Sequence, residues 1–454
     1  MTVEGLTINS LKKKDLLTLG FMMFSIYFGA GNLIFPPALG QAAGDHTLHA
    51  MLGFMTTGIG LPLLGITAIA LAGGEYVPLL HAKTWPRFAT VLLVILYLII
   101  GPLFAMPRTG AVSFEIGIRP FLSTDNLALG QIIYTAIFFA SSYYLALNPN
   151  KIIDRVGRML TPALLIVLLI LFVQAFHAPL GAILPATGAY IDAPFAQGFQ
   201  DGYQTMDLLA SIAIGALVAN AVRMRGITDS RAVGAACLVS GLITVMLMAA
   251  VYGSLAYIGA TSTSVLGQAE NGGQILSAAV GIFFGSAGNL LLAVIIGLAC
   301  LTTCCGITSS AAMFFNKLLK GRVSYERLLL FSIMFSFAAS NVGLTQIIAL
   351  AIPFLVTIYP LIIVFVILSL FDRFIGWRKS IYQGAMALTL VFSFIDGLHA
   401  AGLSSEPVHA LLVTYIPFYN IMMGWVCPAV IGALVGFAVS FFQTAPAAAK
   451  ESQV

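Results

Sequence analysis

The sequence predicts an all-α polytopic membrane protein of twelve transmembrane helices, with the first and sixth helices discontinuous. Three observations predict it. The chain is 59% hydrophobic and only 8% charged over 454 residues, whereas a soluble domain carries about 25% charged residues. Twelve apolar segments follow one another, with Lys and Arg gathered in alternate connections. Two of those segments carry glycine, proline and polar residues in mid-span.

The composition narrows the function classes. A net charge of +4 spread over short loops points to no nucleic-acid partner. The five cysteines, Cys237, Cys300, Cys304, Cys305 and Cys427, are odd in number and lie in apolar runs, so no disulfide framework is expected. No His stands near the Cys304–Cys305 pair, and no HExxH spacing occurs, so neither a metal centre nor an enzyme is expected. No cofactor is expected apart from a coupling ion. LKKKD leads straight into a full-length span, without the short apolar region and cleavage site of a signal peptide.

The apolar segments run over 15–39, 48–72, 88–116, 131–147, 158–178, 196–222, 231–259, 288–316, 325–341, 344–371, 379–397 and 409–442. About 20 residues at ~1.5 Å rise cross the ~30 Å hydrocarbon core. The ninth and tenth are joined by a tight turn at Ser340–Leu344. The stretch 260–287 has a semi-polar half, TSTSVLGQAENGGQ, and reads as an external loop carrying short re-entrant or interfacial helices. With the N-terminus inside, the inner connections collect 19 of the 21 Lys and Arg residues. They form clusters at Lys12–Lys14, Lys83 and Arg87, Lys151 to Arg158, Arg223 to Arg231, Lys317 to Arg327, Arg373 to Lys379, and Lys450. Arg119 lies outside and Arg108 within the third span. This segregation predicts cytoplasmic N- and C-termini.

The first span contains YFGAGNLIFPPALG, with Gly29, Gly31, Asn32, Pro36, Pro37 and Gly40. Proline removes an N–H donor and glycine weakens a helix. In lipid, non-helical backbone survives only where protein or a polar cavity surrounds it. The sixth span, FAQGFQDGYQTMDLLASIAIG, is interrupted in the same way by Gly198 and Gly202, beside Asp201 and Asp207. The two spans lie five apart. Interrupted segments at matching places in two halves mark the binding site of inverted-repeat transporters. The repeats fall on 15–178 (helices 1–5) and 196–371 (helices 6–10), with helices 11–12 at 379–442, in one domain spanning 1–454. Free N–H groups at Gly29–Gly31 and their positive dipole end suit a carboxylate. Carbonyls freed from Ser25 to Phe28 suit a small cation. The competing reading is a structural kink or a glycine-mediated helix contact.

The eighth span contributes ACLTTCCGITSS. Thr302 and Thr303 are adjacent hydroxyls, one turn after the Ala299 carbonyl. With carbonyls of Ser25 and Phe28 they make a cage for sodium; alternatively, the hydroxyls bond back to the preceding turn.

These motifs resemble a known family. FGAGNLIFPPALG, GPLFAMPRTGAVSFEIGI in the third span and GYQTMDLLASIAIG in the sixth are similar to the bacterial branched-chain amino acid:cation symporters. The resemblance covers essentially the whole chain. It implies sodium-coupled import of leucine, isoleucine and valine across the bacterial inner membrane, on a LeuT-type fold of five plus five inverted helices. It also implies that Ser25, Phe28, Ala299, Thr302 and Thr303 hold sodium, and that GAGN is the carboxylate-binding turn. One departure stands out. The neurotransmitter branch of that fold has an arginine between its GxGN turn and the following FP, where this chain has Leu33–Ile34, so the outer gate is expected to differ.

The expected substrate site comprises Ile26, Tyr27, Gly29, Ala30, Gly31 and Asn32 of the first span, Phe104 of the third, and Gly202, Tyr203, Thr205 and Met206 of the sixth. Arg108, Glu115, Asp201 and Asp207 are charges at membrane depth, expected to gate or couple. Arg108 reaches Asp207 or Asp201 on this reading. The alternatives are a static ion pair, and for Glu115 a place at the outer interface. Trp85, Trp377 and Trp425 read as interfacial anchors. His46, His49, His399 and His409 read as surface groups. The partners expected are the amino acid, sodium and the lipid bilayer, with no obligate protein partner. A proton-coupled symporter using Glu115 or Asp207 is the nearest alternative, followed by a carrier of another small zwitterion. A channel is disfavoured by the lack of a filter-like repeat.

Overall fold

The computed structural model describes residues 12–442, apart from Glu75, Asn148, Thr228, Trp377 and Ser405, and gives backbone alone at 149–161, Arg373, Ile375, Glu406, Val408 and His409. Lys450, Trp377, and the side chains of Lys151, Arg155, Arg158, Arg373 and His409 therefore lie outside the described residues. Helix occupies every one of the apolar segments. The first is split into α1 (Lys13–Tyr27) and α2 (Ala30–Ala43). The second is α3 (Thr47–Met55) and α4 (Leu61–Leu71), joined by a π-helical turn at Thr56–Gly60. A linking helix, α5 (Tyr76–Lys83), precedes the third, which is α6 (Pro86–Leu98) and α7 (Ala105–Gly117). Then come α8 (Leu127–Ala146), α9 (Pro149–His177), and a split sixth segment, α10 (Pro194–Asp201) and α11 (Asp207–Arg223). The rest are α12 (Ser230–Leu266), α13 (Gly272–Leu318), α14 (Tyr325–Ser340), α15 (Leu344–Leu370), the short α16 (Asp372–Ile375), α17 (Lys379–Ala400), α18 (Glu406–Tyr415) and α19 (Val426–Phe442). Among the described residues, seven helical runs are long and apolar enough to cross a membrane unaided, and the bent pair α10–α11 makes an eighth.

Both expected interruptions are present. Phe28 and Gly29 are extended (ψ 96° and −169°), so two residues leave the helix between α1 and α2. Between α10 and α11 the chain makes a 3-10 turn over Gly202–Thr205 and passes through Met206 at φ 61°, with a 48° bend. The tight turn between α14 and α15 also stands as expected.

Two expectations are corrected. The segment 409–442 is not one helix: α18 stops at Tyr415 and α19 starts at Val426, with a 3-10 turn at Tyr419–Ile421 and left-handed Phe418 and Met422 between them. The stretch 260–287 is not mainly loop. Helix α12 continues to Leu266, because Thr261 bonds back to the Tyr257 carbonyl (3.0 Å) and Ser262 to that of Gly259 (2.7 Å), which hides their polar groups inside the helix. The short helix expected here is the start of α13, set off by a break at Gly285 (φ 65°).

In lipid, helices gain little by burying apolar side chains, so close packing and hydrogen bonds must hold them. Small residues supply the approach. A methyl on Gly40 would collide with the Ala256 carbonyl, and one on Gly259 with that of Pro37, so α2 and α12 cross backbone to backbone. Gly53 and Gly198 do the same for α3 and α10. Leu129, Ile133 and Ile137 of α8, like Leu434 and Val435 of α19, are exposed and face outward. The basic end is tied by Lys83–Asp372 at 2.8 Å, with side chains 3% and 10% exposed, and by Arg225–Asp15 at 3.9 Å.

Candidate functional site

The α2–α12 crossing and the two breaks bring three spans to one point. The Gly29 amide donates to Asn32 Oδ1 at 3.0 Å, so the side chain of Asn32 closes the break in its own helix. The Asn32 amide group donates to Asp207 Oδ2 at 2.7 Å and also to the Tyr252 hydroxyl of α12. Asp207 opens α11, and its amide donates to Thr205 Oγ1 at 3.3 Å. A carboxylate in a helix's first turn is favoured by the dipole. The next amide, of Leu208, donates to the Tyr359 hydroxyl of α15 at 3.4 Å.

Arg108, in the first turn of α7, reaches the same point and is 4% exposed. Its Nη1 donates to the Gln204 carbonyl at 2.5 Å and its Nη2 to that of Thr205 at 3.5 Å. Both acceptors are carbonyls released by the break in the sixth span. The guanidinium lies 5.2 Å from the Phe35 ring centre, and a Cβ on Gly31 would stand 2.8 Å from Nη2. Arg108 Nε is buried with no hydrogen-bond partner among the described residues. Among the described residues Arg108 makes no ion pair within 4.0 Å. The expected pairing with Asp207 or Asp201 is thus replaced by backbone acceptors. Positive and negative charges share a buried site without neutralising each other in contact, which is costly in an apolar medium unless a ligand intervenes.

Two details alter the expected carboxylate turn. The Gly29 amide is engaged by Asn32. Gly31 admits the Arg108 guanidinium, so approach to this turn passes over a cation as well as over backbone amides. Ala30, Gly31 and Asn32 are buried, as are Gly202, Thr205 and Met206.

Other expected residues fall elsewhere. Tyr27 donates to the Pro62 carbonyl of α4 at 3.3 Å, with half-buried Ile26 beside it. Phe104 packs on Phe354 of α15, ring centres 5.2 Å apart. Tyr203 turns its ring onto Tyr359 at 4.3 Å, towards the later helices. Gly202 approaches Thr57 and Phe54 of the second span too closely for any side chain. An apolar crevice lies between the first, second and seventh spans, lined by Met23, Tyr27, Ile59, Leu63, Val245 and Met248.

Of the cation set, Thr303 lies on the break: a Cβ on Gly29 would be 3.5 Å from its methyl and 3.8 Å from its hydroxyl. Thr302 donates to the Ala299 carbonyl at 2.9 Å, the back-bonded arrangement. Ser25 and Phe28 end the α1 half of the first span.

Glu115 and Asp201 stand away from the crossing. Glu115 accepts from Arg119 (2.5 Å), Gln274 (2.8 Å) and Asn271 (3.2 Å), tying α7 to the start of α13. Asp201 is held by the Tyr190 hydroxyl and by Gln197 at 3.1 Å. Trp425 is corrected too: it is 6% exposed and no interfacial anchor, whereas Trp85 is 43% exposed. Sequence reasoning missed Tyr252 and Asp396. Asp396, a carboxylate within the apolar run VFSFIDGLHA, carried the same signal as Asp207.

The chain matches the family model described as branched-chain amino acid transport protein over residues 12–443. It is 46% identical to the branched-chain amino acid permease BraB of Bacillus subtilis over 434 residues, 96% of this chain and 97% of that one. It is 44% identical to the branched-chain amino acid transport system 2 carrier protein of Pseudomonas aeruginosa over 427 residues, 94% of this chain and 96% of that one. In fold it is similar to Mhp1, a nucleobase-cation-symport-1 family transporter in a closed conformation with bromovinylhydantoin bound (TM-score 0.60, 13% identity, 94% of this chain and 92% of that one). It is also similar to MhsT in complex with L-phenylalanine (TM-score 0.55, 17% identity, 93% and 98%). The LeuT-type architecture implied by the sequence motifs is the fold of the molecule.

Proposed function

From the premise that this chain belongs to the branched-chain amino acid transport protein family, and so is a membrane transporter and not an enzyme, we propose that it is a sodium-coupled symporter. It imports leucine, isoleucine and valine across the bacterial inner membrane by alternating access, with both termini cytoplasmic. The names of its relatives support the substrate class. The observation that carries the site is the Arg108 guanidinium beside Gly31, with a buried Nε that has no partner among the described residues, across from Asp207. A zwitterion inserts between these charges. Its carboxylate takes the guanidinium and the Ala30–Gly31 amides, and its ammonium takes Asp207 and the carbonyls of both breaks.

The roles extend to the neighbouring residues. Ile26, Tyr27, Gly29, Asn32, Phe104, Gly202, Tyr203, Thr205 and Met206 shape the site from both breaks. Sodium binds Ser25, Phe28, Ala299, Thr302 and Thr303, once Thr302 turns from the Ala299 carbonyl. Bridging the first span to the eighth, sodium favours one conformation over another, which is what coupling requires. Glu115 and Asp201 act as supports at the far end from the basic loops. The spans before and after His177 form the two inverted repeats, over 15–178 and 196–371, with 379–442 added.

A second reading has one specific observation in its favour: Asp207 is 4% exposed and makes no ion pair among the described residues, which suits a coupling proton. Leucine uptake into proteoliposomes separates the two. Accumulation driven by an inward sodium gradient, and lost in potassium at the same pH, supports the sodium symporter. Accumulation driven by a proton gradient alone moves coupling to Asp207. No accumulation under either gradient sinks both.

A further inference from the structure

Where α17 meets α19, a guanidinium is held against aromatic rings without a counter-ion. Arg378 immediately precedes α17, at the end of the bundle that carries the basic connections, and is half-buried. Its Nη1 donates to Ser440 Oγ at 2.7 Å. Its guanidinium carbon lies 5.1 Å from the ring centre of Phe437 and 4.7 Å from that of Phe441. The two rings meet edge to face at 4.9 Å. Phe437, Ser440 and Phe441 share one face of α19, being three and four residues apart, and both rings are exposed. Among the described residues no carboxylate lies within 4.0 Å of Arg378. Asp372, the acidic residue nearest to it in sequence, is taken by Lys83 at 2.8 Å. Lys379, next to Arg378, is exposed and likewise makes no ion pair among the described residues.

This clamp is built on a rigid crossing. A Cβ on Gly384 would stand 2.2 Å from the Gly432 carbonyl oxygen, and one on Gly436 would stand 2.2 Å from that of Ser380. Helices α17 and α19 therefore run backbone against backbone, which sets Arg378 over the two rings. Ser440 Oγ donates its own proton to the Phe437 carbonyl at 2.5 Å, so it serves Arg378 as an acceptor and orients the fork. The other N–H groups of the guanidinium have no acceptor among the described residues. A planar guanidinium pairs with a phosphate through two parallel bonds. Held on lipid-facing rings at the basic end of a membrane protein, this one stands where headgroup phosphates meet acyl chains. Lys379 adds a second positive charge. That favours a headgroup of net negative charge over a zwitterionic one, whose own ammonium offsets its phosphate.

We propose that Arg378, Phe437, Ser440 and Phe441 form a binding site for the phosphodiester of an anionic phospholipid. The phosphate takes the free edge of the guanidinium, and Lys379 adds attraction at longer range. An acyl chain runs along the exposed stripe of α19 formed by Phe441, Phe437, Leu434 and Val430. The bound lipid bridges the eleventh and twelfth spans and stabilises their crossing. The inference rests on the protein's place in a membrane and not on what the protein carries.

The test is a lipid titration of the purified, delipidated full chain in detergent, read by its melting temperature and by native mass spectrometry of bound lipid. The probes are phosphatidylglycerol, phosphatidylcholine and inorganic phosphate. Phosphatidylglycerol is expected to raise the melting temperature saturably and to remain bound, while the other two do neither at the same concentrations. Arg378→Gln should weaken the phosphatidylglycerol effect by about tenfold, the size of one charge-assisted contact. Arg322→Gln, which removes a charge from another basic connection, should leave it unchanged. If Arg378→Gln does not fold, Phe437→Leu with Phe441→Leu keeps the charge, removes the clamp and should weaken the effect in the same direction. Equal loss in Arg322→Gln would mean that only diffuse charge attracts the lipid, and would overturn the site. So would a titration unmoved by Arg378→Gln or by the double phenylalanine variant. An equal effect of phosphatidylcholine overturns the preference for an anionic lipid, and one of inorganic phosphate overturns the assignment to lipid.

Discussion

Asn32 of the first span donates to Asp207 of the sixth at 2.7 Å, joining the two broken helices across 175 residues of chain. The same side chain accepts from the Gly29 amide at 3.0 Å. One residue therefore closes one break and steadies the carboxylate that opens the other.

Asn32→Ala removes both bonds and leaves a buried carboxylate short of a donor. Stability should fall by about 2–3 kcal/mol, the cost of losing a hydrogen bond to a charged group and uncapping a buried amide. Leucine binding should weaken as well. Thermal unfolding of detergent-solubilised protein, with Asp207→Asn completing a double-mutant cycle, checks it. Additive effects of the two changes would mean the contact carries no coupling.

Gly31→Ala places a methyl 2.8 Å from Arg108 Nη2. The guanidinium must move, while the helix itself is not strained. The leucine Kd should rise roughly tenfold, about 1.4 kcal/mol, with little change in melting temperature. Gly31→Leu should abolish binding while the protein still inserts in the membrane. Arg108→Lys should also bind poorly, because an ammonium cannot reproduce the planar fork.

Thr303→Ala should raise the sodium concentration for half-maximal uptake by roughly tenfold, or about 1.4 kcal/mol for one lost ligand. Thr302→Ala should have the smaller effect, since that hydroxyl already serves the Ala299 carbonyl. An unchanged sodium curve in the double variant would place the cation elsewhere.

The Lys83–Asp372 pair joins α5 to the start of α16 at 2.8 Å. Removing one partner, as in Lys83→Ala, leaves a buried unpaired charge and should cost about 3–5 kcal/mol. Replacing both, by Lys83→Met with Asp372→Leu, should recover most of that stability. Melting curves of the three proteins check it.

The breaks were legible because backbone interruption leaves glycine and proline in the sequence, as at Gly29, Gly31 and Gly202. The partners of Arg108 were not legible: carbonyls of Gln204 and Thr205 belong to the backbone and carry no residue signature. The partner of Glu115 was available in the spacing, since Arg119 stands one helical turn on. The break in the twelfth span also left a signal, Pro417 and Gly424, which overall hydropathy masks. That break turns Trp425 inward, so a residue type common at interfaces is buried here. The helical extension to Leu266 was hidden because TSTS looks like loop, although each hydroxyl can bond within the helix.

The central claim is that Arg108 and Asp207 hold the two ends of a zwitterion between the breaks. The most direct test is equilibrium binding of radiolabelled leucine in sodium, competed by leucinol, which lacks the carboxylate, and by isocaproate, which lacks the ammonium. Both should compete at least about 100-fold more weakly than leucine, because each leaves one buried charge unpaired. Competition by either analogue at leucine-like concentrations would contradict the account, since that end of the substrate would then meet no charge.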